Sequence, residues 1–178
     1  MRLLRWITAT LMATIVATNP LYAQEAPKDA TAPSSLAETY DDWSVACAVT
    51  DGIRRCVLSQ RQVHQSGQRV LTLELEPVDG AGLQGQLALP FGLYLDKGVS
   101  LGVDDATGSK PSRFRTCMPV GCIVALTFNE ETIKLLRGGK VLKLVAFASD
   151  TEKEVSFSIS LKGFATALDR TIALMQKA

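Results

Sequence analysis

Apolar and polar residues alternate one by one along much of this chain. Trp43, Val45 and Cys47 interleave with Ser44, Ala46 and Ala48. Leu71, Leu73 and Leu75 interleave with Thr72, Glu74 and Glu76, and Val155, Phe157, Ile159 and Leu161 with Ser156, Ser158 and Ser160. A period of two sends alternate side chains to opposite faces of an extended backbone, so each run predicts a strand with one buried face. Cys56 and Leu58 form a return strand whose polar positions are Arg54, Arg55, Gln60, Arg61 and Gln62. Leu83 to Leu95 reads as two short strands around a bend at Pro90 and Gly92, Val99 to Val103 alternates again, and Val141 to Phe147 is almost continuously apolar. Asp51-Gly52, Ser66-Gly67 and Lys97-Gly98 punctuate these runs as turns, with polar loops at 79–82 and 104–111.

Two segments change period. Glu130 and Glu131 in front, Lys134 and Arg137 behind and Gly138-Gly139 after them describe a short helix. Phe164, Leu168, Ile172 and Met175 recur at helical spacing and predict a C-terminal amphipathic helix packed on a sheet. Eight to ten short strands with these two helices make a mainly β protein. The expected architecture is an antiparallel β-sandwich, with a closed β-barrel as the alternative. Nothing repeats at a fixed period, which excludes solenoids and propellers.

The first 39 residues follow other rules. Arg2 and Arg5 precede an uncharged run from Trp6 to Thr18, and the small residue Ala23 follows shortly after. This is the pattern of a signal peptide over residues 1–23. An uncleaved anchor is the competing reading, but the run is Thr-rich and shorter than the roughly 20 apolar residues a span needs. No later stretch is apolar for long enough, so the mature form is expected to lack a transmembrane helix. Residues 24–39 contain two prolines and few large apolar groups, and read as a flexible linker. The domain is then 40–178.

Export gives the four cysteines their meaning, because an oxidising compartment permits disulfides. Four cysteines allow three pairings. Cys47 and Cys56 bracket Asp51-Gly52, and Cys117 and Cys122 bracket Pro119 and Gly121, so the local pairs are the economical choice. Each closes a short loop contributing on the order of 2–3 kcal/mol. The second pair lies between strand-like flanks, Phe114 before it and Ile123 to Leu126 after it. A redox role calls for Cys-x-x-Cys at a helix start, so this pair reads as a structural clip.

Charge and motifs narrow the chemistry. The chain carries 19 Lys and Arg against 18 Asp and Glu. Without Arg2 and Arg5 the balance is 17 against 18, a net −1, which gives no built-in field to capture nucleic acid or an anionic membrane. His64 is the single histidine and has no neighbouring ligand, so no metal and no cofactor is expected. No nucleophile elbow and no phosphate loop occurs. Asp104-Asp105 lacks the alternating acids of a calcium loop. No catalytic residue is expected, and the chain is expected not to be an enzyme. Arg113 and Arg115 flank Phe114, and these three residues are the candidate binding group.

Five landmarks then occur in order: Trp43-x-Val45-x-Cys47; Cys56-x-x-x-Gln60; Leu89-Pro90-Phe91-Gly92 with Gly98-Val99; Cys117-x-x-x-Gly121-Cys122; and Ser160-Leu161-Lys162-Gly163-Phe164-x-x-Ala167-Leu168. Together they resemble the invasion-associated locus B (IalB) family of alphaproteobacterial envelope proteins over about residues 40 to 175. Phe91 departs slightly, standing where a Leu or a small residue is more usual. The resemblance implies an immunoglobulin-like β-sandwich, periplasmic or at the surface of a Gram-negative cell. It also implies a contribution to host-cell entry in pathogenic members, through an envelope or host-surface partner, expected to be a protein. It brings no catalytic residues. An enzyme acting on an envelope polymer and a purely structural periplasmic protein are the alternatives.

Overall fold

The computed structural model describes residues 35–78, 82–105 and 110–176, all within a compact unit spanning Ala32–Ala178. The signal peptide and most of the linker read from the sequence lie outside the described residues. Ten strands and two helices follow in order. These are β1 (Ser35–Tyr40), β2 (Trp43–Thr50), β3 (Ile53–Val63), β4 (Arg69–Val78), β5 (Gly82–Leu89), β6 (Ser100–Val103), β7 (Phe114–Met118), β8 (Gly121–Phe128), α1 (Glu130–Gly138), β9 (Val141–Phe147), β10 (Glu154–Ser160) and α2 (Phe164–Met175). The strands form a seven-stranded sheet in the order β1-β2-β3-β4-β5-β8-β7 and a three-stranded sheet, β10-β9-β6. Every pairing is antiparallel, and neither sheet closes into a barrel. The expected sandwich is therefore the architecture.

One face of the large sheet supplies most of the core. Trp43, Val45, Leu58, Leu71, Leu73, Leu75, Leu83 and Leu87 are fully buried there. Leu142, Leu144, Ala146 and Ile159 meet them from the small sheet, and Phe164, Ala167 and Leu168 from α2. The indole of Trp43 meets Phe164 edge-on, with ring centroids 5.0 Å apart. Asn129 caps α1 by accepting from the backbone N–H of Thr132 at 2.9 Å. The stripe that α2 buries is Phe164, Ala167, Leu168, Thr171 and Leu174. It is rotated from the expected one, leaving Ile172 and Met175 on its flank. Thr171 fits inside because its hydroxyl donates to the Ala167 carbonyl at 2.8 Å.

Three expectations need correction. Strand β1 occupies Ser35–Tyr40, largely inside the stretch read as linker up to residue 39. An edge strand needs backbone pairing more than apolar side chains, and β1 obtains it by pairing all six residues with β2. It is fastened further by Glu38, whose two carboxylate oxygens accept from Nε and Nη2 of Arg170 on α2, both at 2.7 Å, and from the Tyr40 hydroxyl. Secondly, Leu83–Leu95 is one strand, β5, followed by a loop. Within that loop Leu93 makes an isolated bridge to Ala148, and Leu95–Lys97 forms a single 3-10 turn. Lastly, Gln60 is not a solvent position. It shares its strand face with Cys56 and Leu58 and is buried, and its amide donates to the Ser160 carbonyl at 2.8 Å.

Both hairpin disulfides form as predicted, Cys47–Cys56 and Cys117–Cys122, each joining residues directly opposite in register. Asp51 and Gly52 have φ of 53° and 77°, the doubly left-handed pair that a two-residue hairpin turn requires.

Gly163 precedes α2 with φ 86°, and a Cβ there would collide with the Tyr40 carbonyl. Gly163→Ala is expected to destabilise the domain by about 2–3 kcal/mol, as left-handed strain adds to the displaced backbone; urea denaturation measures this. A second expectation concerns pH. The Arg170 guanidinium, aided by the Tyr40 hydroxyl, lowers the Glu38 carboxyl to about 2. A depressed carboxylate stabilises fully above its unfolded value near 4.5, and the contribution fades as pH falls toward 2. Glu38→Gln should therefore melt below wild type at neutral pH. The gap should close between roughly pH 4.5 and pH 2, and a gap independent of pH would assign the effect to packing.

Candidate functional site

The two helices and the small sheet cover one face of the seven-stranded sheet and leave the other open. Register arranges the open face in rungs. Arg61, Thr72, Ala88, Ile123 and Thr116 align across β3-β4-β5-β8-β7. Ser59, Glu74, Gln86 and Ala125 form the next rung, and Glu76, Gln84 and Thr127 the one after. Within the rungs the polar groups hold one another. Gln86 donates to Glu74 at 3.2 Å and Gln84 to Glu76 at 2.7 Å. Each carboxylate is thus fixed across a strand boundary.

A groove of about 420 Å³ runs over these rungs, lined among others by Glu74, Glu76, Gln84, Gln86, Arg115 and Ala125. Beside it a smaller pocket of about 180 Å³ has Thr72, Ala88 and Ile123 in its lining together with Arg61, Arg69 and Met118. The face is therefore polarised in part: the groove holds Glu76, Gln84 and Arg115, the smaller pocket holds Arg61, Arg69 and apolar groups, and Glu74 and Gln86 line both. Among the described residues, Arg55, Arg61, Arg69 and Arg115 have no ion-pair partner, whereas Arg137 and Arg170 each have one. Thr72 is only 7% exposed, and its hydroxyl finds no hydrogen-bond partner. An unsatisfied buried hydroxyl is costly and uncommon.

The predicted binding group divides. Phe114 is half-buried and packs against the core, while Arg113 and Arg115 are exposed. The register of β7 against β8 shifts between Phe114 and Thr116, leaving Arg115 as the extra residue of a bulge. Bulges re-aim side chains, and Arg115 lines the groove; Arg113 does not. Arg61, Arg69, Thr72, Glu74 and Glu76 were not singled out as binding residues. Their signal was present in two period-two sets, 59 and 61 on β3 and 72, 74 and 76 on β4, but periodicity cannot say which sheet face stays open.

A second groove, of about 760 Å³, lies where Val78 and Leu83 meet α1 and α2, and Ile133, Ile172 and Met175 line it. The charged groups at its rim are already paired, Lys134 with Glu130 and Arg137 with Asp169. No cluster of three or more His, Cys, Asp or Glu side chains suited to a metal occurs among the described residues. Nor is any helix there long and apolar enough to cross a membrane.

Two antiparallel sheets, two hairpin disulfides and one open sheet face define a disulfide-stapled β-sandwich. The comparisons with known proteins agree with that class. The family model described as invasion associated locus B (IalB) protein matches residues 43–171, and the chain belongs to that family. It is 44% identical over 142 residues to an invasion protein B homolog of Brucella abortus, covering 79% of this chain and 82% of that protein. With invasion protein B of Bartonella bacilliformis it shares 36% identity over 156 residues, 84% of this chain and 83% of the other. The crystal structure of invasion associated protein b from Bartonella henselae superposes with a TM-score of 0.76 at 33% identity. That match covers 80% of this chain and 99% of the crystallised one.

Thr72→Val removes the unpartnered hydroxyl and keeps the branched shape. It is expected to raise stability by about 1 kcal/mol, read from the shift in urea midpoint at constant slope. A loss of stability would mean that the hydroxyl is satisfied in solution.

Proposed function

We propose that this protein is an exported binding module of the Gram-negative envelope, periplasmic or at the cell surface, which engages its partner through the open face of the seven-stranded sheet and performs no catalysis. The observation that carries this is the polarised open face itself. Its polar side chains are fixed in register, and four of its arginines lack partners. A surface whose hydrogen-bonding groups are already ordered loses little entropy on binding. The two disulfides support export, since such bonds persist in oxidising compartments. All three of these similar proteins are named for invasion, which makes contact with a host cell one use of such a face here.

Glu74 and Glu76 favour a second reading, because two carboxylates on one groove are what a hydrolase of an envelope polymer requires. Against it, each is held by a glutamine amide, the arrangement of a fixed recognition group rather than of a group that must exchange protons.

Capture of an envelope component by the immobilised Ala32–Ala178 domain tests the proposal. Ala125 is exposed on the groove, and Ala125→Trp fills it. Capture is expected to fall at least about tenfold, the effect of blocking a central contact. Lys153→Trp, in the turn between β9 and β10, should leave it unchanged. Equal capture by both variants would place binding elsewhere. Hydrolysis of envelope polymer that is lost in Glu74→Gln would establish the enzyme.

A further inference from the structure

One end of the open face combines two features with a joint meaning. The first is a set of exposed apolar side chains at strand ends and turns. Val63 ends β3 at 58% exposure, and Met118 and Val120, both at 45%, form the tip of the β7–β8 hairpin. Phe91, at 62%, lies two residues beyond the end of β5. Register brings these ends together. Val63 faces Arg69 across β3-β4, Thr72 faces Ala88, and Leu89 at the end of β5 faces Cys122, next to the hairpin tip. The second feature is the pair of guanidinium groups, Arg61 and Arg69, that line one pocket with Met118 and Val120. Neither has an ion-pair partner among the described residues.

We infer that this end of the sheet docks on an anionic lipid surface. The apolar tip enters the boundary between headgroups and acyl chains, and Arg61 and Arg69 receive lipid phosphates. Shape selects this occupant over an acidic protein. The exposed apolar groups sit at strand ends, in a loop and at a hairpin tip, not on a central patch ringed by polar residues, and Arg61 and Arg69 share a pocket with Met118 and Val120. Guanidinium groups bind phosphate oxygens in bidentate fashion, and their weak hydration suits an interface. The Cys117–Cys122 disulfide closes the hairpin directly behind Met118 and Val120, so the inserting tip is ordered before it meets the bilayer. The acidic group nearest these arginines in the pocket, Glu74, is held by Gln86. This inference rests on the open face being the binding surface and names the partner of its cationic end.

Vesicle sedimentation of the Ala32–Ala178 domain tests it, with phosphatidylglycerol mixed equally with phosphatidylcholine against phosphatidylcholine alone. The domain is expected to sediment with the anionic vesicles only and to be released by salt. Each arginine near such a surface contributes about fivefold in partitioning, so Arg61→Gln with Arg69→Gln should lower it roughly 25-fold. Met118→Ser with Val120→Ser should lower it at least about tenfold, with circular dichroism and melting temperature unchanged. Lys134→Gln with Lys140→Gln removes equal charge at the opposite end of the domain and should change partitioning less than about twofold, since the attraction fades within a Debye length. A Phe91→Trp variant should be quenched by brominated acyl chains. No binding to anionic vesicles, or equal losses in the lysine control, overturns the inference. Capture of an envelope protein that is sensitive to Ala125→Trp, without vesicle binding, overturns it too but leaves the binding module standing. Loss of both phenotypes overturns both.

Discussion

Two backbone carbonyls of β10 accept side-chain hydrogen bonds from the large sheet and join the two sheets. The oxygen of Ser160, at the end of β10, accepts from the indole Nε1 of Trp43 at 2.9 Å and from the amide of Gln60 at 2.8 Å. The Gln62 amide repeats the contact at Ser158, 2.7 Å away. Strand β10 pairs with β9 on one side only, so its other edge would otherwise carry unpaired acceptors against the core, a costly arrangement. Side chains of β2 and β3 supply those donors and fix where the small sheet sits over the large one. The position of the small sheet in turn settles which face of the large sheet is buried. The open, polarised face is a consequence of where these three donors point.

The sequence and the structure agree wherever a side chain's own chemistry decides. Trp43, Val45 and Cys47 are apolar at period two and are buried; Asp51-Gly52 is a turn pair and turns. Both disulfides were legible because each cysteine pair brackets its own turn. Disagreement arises where a partner distant in sequence decides. Gln60 reads as a surface residue until Ser160, a hundred residues later, offers a carbonyl. Ser35 to Thr39 reads as linker until β2 supplies its ladder and Arg170 its counter-charge. On α2, Thr171 takes a buried place because its hydroxyl can turn back on its own helix, a local option that a hydrophobic stripe does not show.

The candidate site was legible only in part, for the same reason. Arg113, Phe114 and Arg115 were marked together, but the strand sends the three side chains to different places. Phe114 keeps the parity of the core, and the bulge frees Arg115 to turn toward the groove. The remaining residues of the face come from β3, β4, β5 and β8, and no local window contains them. Membership of the IalB family agrees with the sandwich. The face where Arg61, Glu74 and Arg115 come together has to be built from strand register.

The order of the cysteines along the chain has a consequence for biogenesis. In both disulfides each cysteine joins the next one in sequence. For a chain delivered amino-terminus first into an oxidising compartment, an oxidant that couples each thiol to the next to emerge makes the native pairs and no others. Each bond can close when fewer than a dozen residues separate the first thiol from the second, before either sheet is complete. Such a protein has no need of a disulfide isomerase, and its covalent framework is finished while its fold is still being assembled.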